Sequence, residues 1–161
     1  MTETFQIPIE AAEAYEARFV PAIFREWAPR AIAAGGVHPA TRLLDVACGT
    51  GIVARAAADI ISDDGRIVGV DLNDSMLQVA RSVAPAIDWQ RSDVTSLPFP
   101  DAAFDVVICQ MAMMFFPDRP GAIGEMHRVL APGGRLVTVV PAALDRQPGY
   151  RTFVDAAVAH A

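Results

Sequence analysis

Leu43-Leu44-Asp45-Val46-Ala47-Cys48-Gly49-Thr50-Gly51 is an apolar run that ends in an acid and then breaks into a glycine turn. Its leucines and valine suit a strand buried on both faces, as in a parallel sheet. The two glycines let backbone approach a ligand where a Cβ would collide. Beyond them Ile52 to Ile61 reads as a helix whose first N–H groups would point into the same crevice. Twenty residues past Gly51 a second strand, Arg66-Ile67-Val68-Gly69-Val70, ends in Asp71, an acid placed to accept both hydroxyls of a ribose. Strand, turn, helix, strand and terminal acid in this order make a nucleotide cradle.

Working outward, residues from about Ile9 to Ala34 read as helical, with Tyr15, Phe19, Ile23 and Trp27 recurring along one face and Pro21 and Pro29 expected to break or kink the run. Asn73-Asp74 can cap a helix whose inner face is Met76, Leu77, Ala80, Val83 and Ala84. A third strand, Ile87 to Arg91, leads to Asp93. Pro98 and Pro100 leave Thr95 to Ala103 as loop or a single turn before a fourth strand, Phe104 to Gln110. Arg119 to Leu130 reads as a helix stopped by Pro132-Gly133-Gly134, and Arg135 to Val140 as the fifth strand. The fold class is therefore α/β: a Rossmann-like, doubly wound parallel sheet of about five strands with helices on both faces. Its ligand site lies at the carboxyl ends of the strands. Asp45, Asp71, Asp93 and Gln110 all fall at or just past those ends. Each alone could cap a helix or sit in a solvated loop; four together point to a site.

The chain has 161 residues, room for one domain with a sizeable core. About 1–36 would be cap helices, 37–145 the Rossmann-like core and 146–161 a short C-terminal segment. A net charge of −6 and a pI near 4.9 disfavour nucleic acid as a partner, because that affinity comes from clustered Lys and Arg. No charged-then-apolar leader opens the sequence, and Val106 to Phe116 is too short to span a bilayer. A soluble, cytoplasmic protein with no membrane partner is expected. Cys48 and Cys109 read as buried thiols, and His38, His127 and His160 lack ligand spacing, so no metal site is expected.

Four further motifs sharpen the reading: Ser92-Asp93-Val94, Leu97-Pro98-Phe99-Pro100-Asp101, Phe104-Asp105-Val106-Val107-Ile108-Cys109-Gln110, and Glu125 to Leu136 with its Ala131-Pro132-Gly133-Gly134. With the glycine turn they resemble the class I S-adenosylmethionine-dependent methyltransferases, in particular the small-molecule branch that includes the ubiquinone/menaquinone C-methyltransferases. The resemblance covers about residues 10 to 145. It implies S-adenosyl-L-methionine as cofactor and methyl transfer to a small-molecule acceptor. It also implies that Asp45 and the Ala47, Cys48, Gly49 and Gly51 turn hold the methionine end, and that Asp71 takes the ribose. Leu72 and Met76 would pack on adenine, Asp93 would accept its exocyclic amine, the Val94 backbone would meet the ring, and Gln110 would face the methionine portion. Ala47 departs from the glycine more usual there, which implies a slightly less tight turn. The family's N-terminal segment lies over the cofactor, so the Tyr15 stripe has two readings, pocket wall and plain core contact. The run Met111, Met113, Met114, Phe115 and Phe116 likewise reads as acceptor pocket or as core.

Gly49 to Ala54 also fits the G-x-G-x-x-A turn of nicotinamide dinucleotide sites. Asp45 argues against that reading, since a carboxylate there repels a pyrophosphate and suits an ammonium. The family's sixth and seventh, antiparallel strands have no counterpart in the sequence. After Val140 come Pro141 to Gly149 and one apolar segment, Phe153 to Ala159. The fifth strand is thus expected as an open edge, to be met by self-association or by the rest of a longer enzyme. A cofactor-binding protein without transferase activity of its own is the alternative. No Asn-Pro-Pro-Tyr run follows the fourth strand, which disfavours transfer to nucleobase or amide nitrogen. No residue stands out as a catalytic base, and His127 reads as surface.

Overall fold

The computed structural model describes residues 6–143 together with Arg146, Arg151 and Thr152. Five strands, β1 (Arg42–Val46), β2 (Arg66–Asp71), β3 (Asp88–Arg91), β4 (Phe104–Gln110) and β5 (Leu130–Val139), form one sheet in the order β3-β2-β1-β4-β5. All four pairings are parallel. Leu43, Leu44, Val68, Val107 and Ile108 are fully buried, as both-face burial of a parallel sheet requires. The chain leaves β1 for β2 on one side and returns to β4 on the other, so the crevice between the ends of β1 and β4 is a topological switch point.

Helices α1 (Ile9–Ala14), α2 (Ala28–Gly35), α3 (Ile52–Ala58), α4 (Asp74–Val83) and α5 (Arg119–Arg128) complete the frame. α2 and α3 share a core cluster with Leu43, Val106 and Ile108. The Leu97–Phe99 loop and α5 share another with Leu44, Val70 and Val107. Asn73 caps α4, its side-chain oxygen accepting the Ser75 and Met76 amides at 3.0 and 3.1 Å. Arg128 fastens the Leu97–Asp101 loop to α5, donating to the Leu97 and Phe99 carbonyls and to Glu125 and Asp101.

Several boundaries move from those the sequence suggests. α3 stops at Ala58, because the Ala57 carbonyl takes both the Ile60 and Ile61 amides and turns the chain. α5 stops at Arg128, and Leu130 already pairs with Phe104. The register then slips until Val106 faces Arg135, so Ala131 to Gly134 form a bulge within β5 rather than a helix stop. Val83 is 43 % exposed, and Val79 takes its place on the inner face of α4. The N-terminal helical run divides in three, with Tyr15–Phe24 wound as a π-helix that contains Pro21, while Pro29 starts α2. Phe153 to Ala159 lie outside the described residues.

Trp89 on the edge strand β3 was not singled out by the sequence, yet two glycines depend on it. A Cβ on Gly69 or on Gly51 would run into its ring, and its indole N–H donates to the Ala84 carbonyl at 2.9 Å. Gly69→Ala is expected to cost about 1–3 kcal/mol through overpacking, read by urea denaturation, and Trp89→Phe in the same chain to recover part of it.

Candidate functional site

The site is built on the five-residue turn that joins β1 to α3. Three of its residues take left-handed backbone: Ala47 (φ 53°), Gly49 (φ 55°) and Gly51 (φ 85°). Ala47 thus takes on the strain that a glycine would avoid. The turn is fixed from behind: the Cys48 amide donates to the Val70 carbonyl at 3.0 Å and the Gly51 amide to the Cys48 carbonyl at 2.8 Å. Gly51 is required as glycine by its φ and by the Trp89 ring, apart from any approach of a ligand. Cys48 turns its side chain into the cluster of Ala54, Leu77, Ala80 and Trp89.

Two acids flank the turn. Asp45 is 1 % exposed and its Oδ2 accepts the Ala54 amide at 3.0 Å, which caps the first turn of α3. Asp71 reaches back from β2, Oδ2 accepting the Gly49 amide and Oδ1 the Asn73 amide, both at 2.8 Å. Desolvation pushes the Asp45 carboxyl up to about 7, against the pull of its Ala54 bond and with the Asp71 charge adding to the rise. Burial raises Asp71 as well, its three backbone amide bonds opposing. Among the described residues neither acid has a cationic partner.

Tyr15 covers the same turn from the N-terminal side. Its ring stands 3.8 Å from where a Cβ on Gly49 would lie and stacks on Phe24 and Phe19, with centroids 5.2 and 6.2 Å away. Burial, followed by the charges of Asp71, Glu16 and Asp45, holds its phenol well above the ordinary tyrosine value. The four-residue stripe itself does not form one face. The π-helical winding instead brings Phe24 onto Tyr15, buries Val20 and leaves Phe19 and Ile23 51 and 42 % exposed.

Gln110, at the end of β4, donates Nε2 to the Phe24 carbonyl at 3.2 Å, while its Oε1 is buried without a partner. Thr50 Oγ1 and Arg55 Nε are buried and unpartnered too. Thr50 was missed in the sequence although it lies between the two glycines of the turn. Leu72 and Met76, half-buried, follow Asp71 on the β2 side. Asp93 is exposed and turned into its own loop, Oδ1 accepting the Thr95 amide and hydroxyl at 2.9 and 2.8 Å, with Val94 half-buried beside it. Asp45, Asp71, Cys48 and Tyr15 are close enough to feel one another's charge; Asp93 is not among them. After β4 the Met-Phe run splits: Met113 and Phe116 pack on the core, and Met114 and Phe115 are 39 and 69 % exposed.

Both cysteines are free and buried, His38 and His127 are exposed, and among the described residues no cluster could hold a metal ion. No helix among those described is long and apolar enough to cross a membrane. A groove of about 420 Å³ between α2 and α3, lined by Ile32, Val37, Ala56 and Ile60 with Asp59 at its rim, lies toward the amino ends of the strands, away from this turn.

Residues 44–138 match the model of a family described as a methyltransferase domain. The chain belongs to that family. It is 39 % identical over 123 residues to a ubiquinone/menaquinone biosynthesis C-methyltransferase of Ectopseudomonas mendocina, covering 73 % of this chain and 48 % of that one. A 2-phytyl-1,4-naphtoquinone methyltransferase of Synechococcus elongatus is 36 % identical, over 70 % of this chain and 51 % of its own. Among solved structures, an S-adenosylmethionine-dependent methyltransferase from Mesorhizobium loti superposes with a TM-score of 0.63 at 28 % identity, covering 73 % of this chain and 53 % of that one. The chain spans about half the length of these relatives. S-adenosyl-L-methionine is the cofactor named for the Mesorhizobium loti protein. The residues present here fit it: the buried Asp45 and the half-buried Asp71 without a cation among the described residues, and the buried Thr50 and Gln110 oxygens without a donor.

A carboxyl whose folded pKa lies above its unfolded one favours folding below the unfolded value and loses that contribution as pH rises through the folded value. For Asp45 the window runs from 3.8 to about 7. The ligand-free chain is expected to lose roughly 2–4 kcal/mol across that window, read by urea denaturation, and Asp45→Asn to flatten the slope. Glu125, held down at about 2 mainly by the Arg128 guanidinium, acts below 4.5 with opposite sign, so stability peaks where the two windows overlap, between 3.8 and 4.5. Ala47→Gly is expected to raise stability by about 0.5–1 kcal/mol, seen as a melting temperature about 1–3 °C higher.

Proposed function

We propose that this chain carries out methyl transfer from S-adenosyl-L-methionine to a small-molecule acceptor with an apolar body. The observation that carries the reading is the pair of Asp45, buried, and Asp71, half-buried, beside the glycine turn with no cation of the protein's own among the described residues. A cofactor with an ammonium and a sulfonium supplies that positive charge; a dinucleotide pyrophosphate would add to the negative.

In this proposal Asp45 and the Ala47–Gly51 backbone hold the methionine end and Asp71 takes the ribose hydroxyls with lone pairs its backbone amide bonds leave free. Leu72 and Met76 pack on adenine, Asp93 and the Val94 backbone meet its edge, and Gln110 Oε1 faces the amino acid end. When bound, the cofactor would supply a sulfonium-activated methyl whose carbon an acceptor nucleophile attacks in line, the new bond forming as the carbon–sulfur bond breaks and neutral S-adenosylhomocysteine leaves. The chain's own part is alignment and exclusion of water. Tyr15 keeps its proton at neutral pH, so it donates a hydrogen bond and does not serve as a base. His127 lies exposed on α5.

Exposed Met114 and Phe115 follow β4, and Phe19 and Ile23 lie on the segment bonded to its end through Gln110, an apolar surround for the acceptor. The quinone ring named for the relatives has that character. Binding of the cofactor without transfer of its methyl is the second reading. The outer edge of β5 is unpaired among the described residues, and pairing there with a second copy belongs to the proposal, as does a cytoplasmic setting.

Calorimetric titration with S-adenosylhomocysteine, with NAD as control, tests the cofactor assignment. Micromolar binding of the former alone is expected. Asp71→Ala should weaken it by roughly 2–4 kcal/mol, because a pair of charge-assisted hydrogen bonds is removed. Unchanged affinity would remove Asp71 from the site.

A further inference from the structure

The Tyr15–Phe24 π-helix is tied down at both ends, and the ties come from opposite sides of the switch-point crevice. At its start, both carboxylate oxygens of Glu16 lie 2.9 Å from Arg55 on α3. At its finish, the Phe24 carbonyl accepts Gln110 Nε2 from the end of β4. The segment therefore spans from the helix that follows the glycine turn to the strand across from it. Tyr15, next to Glu16, is the residue that the span lays over Gly49.

The Arg55–Glu16 pair is shielded, with side chains 22 and 19 % exposed, unlike the Arg66–Asp88 and Arg91–Asp74 pairs on the surface. Arg55 spends one terminal nitrogen on Glu16 and leaves its Nε buried without a partner, an unusual expense for a pair that served only stability. A π-helical turn is intrinsically less stable than an α-turn and collects at functional sites. Three of its side chains, Phe19, Ile23 and Pro21, face solvent, so little apolar burial fixes it apart from Val20 and the Tyr15–Phe24 stack.

We propose that Arg55 and Glu16 are positioning residues that latch the Tyr15–Phe24 strap across the crevice, so that their ion pair sets how slowly S-adenosyl-L-methionine and its product leave. The inference rests on the cofactor assignment above and adds the residues that retain the ligand. Breaking the pair frees Tyr15 to swing from Gly49 and opens a path out, without touching Asp45, Asp71 or the turn. The effect falls on the release rate, as it does when one partner of a shielded charge pair is truncated.

The test uses the full chain and S-adenosylhomocysteine release by stopped-flow, with amide exchange of the ligand-free protein beside it. Arg55→Ala and Glu16→Gln are each expected to speed release about tenfold with association changed by less than about threefold. The double variant should match the singles, since both remove one interaction. Arg55→Lys, which keeps the charge, and the swapped pair Arg55→Glu with Glu16→Arg should stay within about threefold of the parent. In the ligand-free variants amide exchange should quicken across residues 15–24 and not in β1 or β4. Glu16→Gln preserves size and hydrogen bonding, so it stays informative where Arg55→Ala fails to fold. A parent chain with no affinity for S-adenosylhomocysteine overturns the cofactor assignment and this inference together. A parent that binds, with release unchanged in the variants or with effects that add, overturns the latch alone.

Discussion

The bond from the Gly49 amide to Asp71 Oδ2 is the constraint on which the rest of the site depends. A strand leaving the sheet at Val46 must reverse into α3 within five residues, and three of those take left-handed backbone. Such a turn is costly alone. It persists because Asp71 anchors it from β2, the Val70 carbonyl takes the Cys48 amide, and the Trp89 ring fills the space beneath Gly51. The direction of α3 follows, and with α3 the position of Arg55 and the reach of Asp45 to Ala54.

The same arrangement gathers ionisable groups that are buried or half-buried around one turn. Asp45, Asp71 and the phenol of Tyr15 all have their charged forms disfavoured first by desolvation. Elsewhere the chain treats acids differently: Asp105 meets Arg42, and Glu125 meets Arg128, each held below the ordinary range by its guanidinium. The contrast is between acids with a structural cation beside them and acids without one. In the second group no guanidinium offsets the burial, so the carboxyls keep their protons to higher pH, and under the proposed function a cationic ligand returns the stability lost by ionising Asp45.

Strands and their order were legible because fully buried parallel strands leave continuous apolar runs, and Leu43 to Val46 and Val106 to Cys109 are such runs. The acids at strand ends were legible for the complementary reason, that polar residues closing such runs stand out. Trp89 gave no such signal: it sits in a short, polar edge strand, and only the two glycines it displaces, Gly51 and Gly69, betray it. The π-helix was hidden because a stripe at four-residue spacing is the same in sequence whichever winding the chain adopts, and tertiary contact with Gln110 decides between them. The early start of β5 was hidden because Pro132-Gly133-Gly134 signals a break, and a bulge and a helix stop use the same residues.

Seen from the crevice, the two sides of the switch point contribute different things. The β1–β2 side is rigid and polar, with every turn amide that faces Asp71 or Val70 already bonded. The β4 side is apolar and looser, ending in Met111 with left-handed backbone, a 3₁₀ turn at Met113–Phe115 and side chains partly in solvent. A rigid polar half suits a ligand whose shape never varies, and an adaptable half rich in methionine suits one whose shape can. Gln110 belongs to both, with one amide atom holding the strap and the other turned into the buried space between them. A side chain so divided couples closure over the invariant ligand to the geometry of the adaptable side, because moving Phe24 also moves the oxygen that the crevice leaves unpaired.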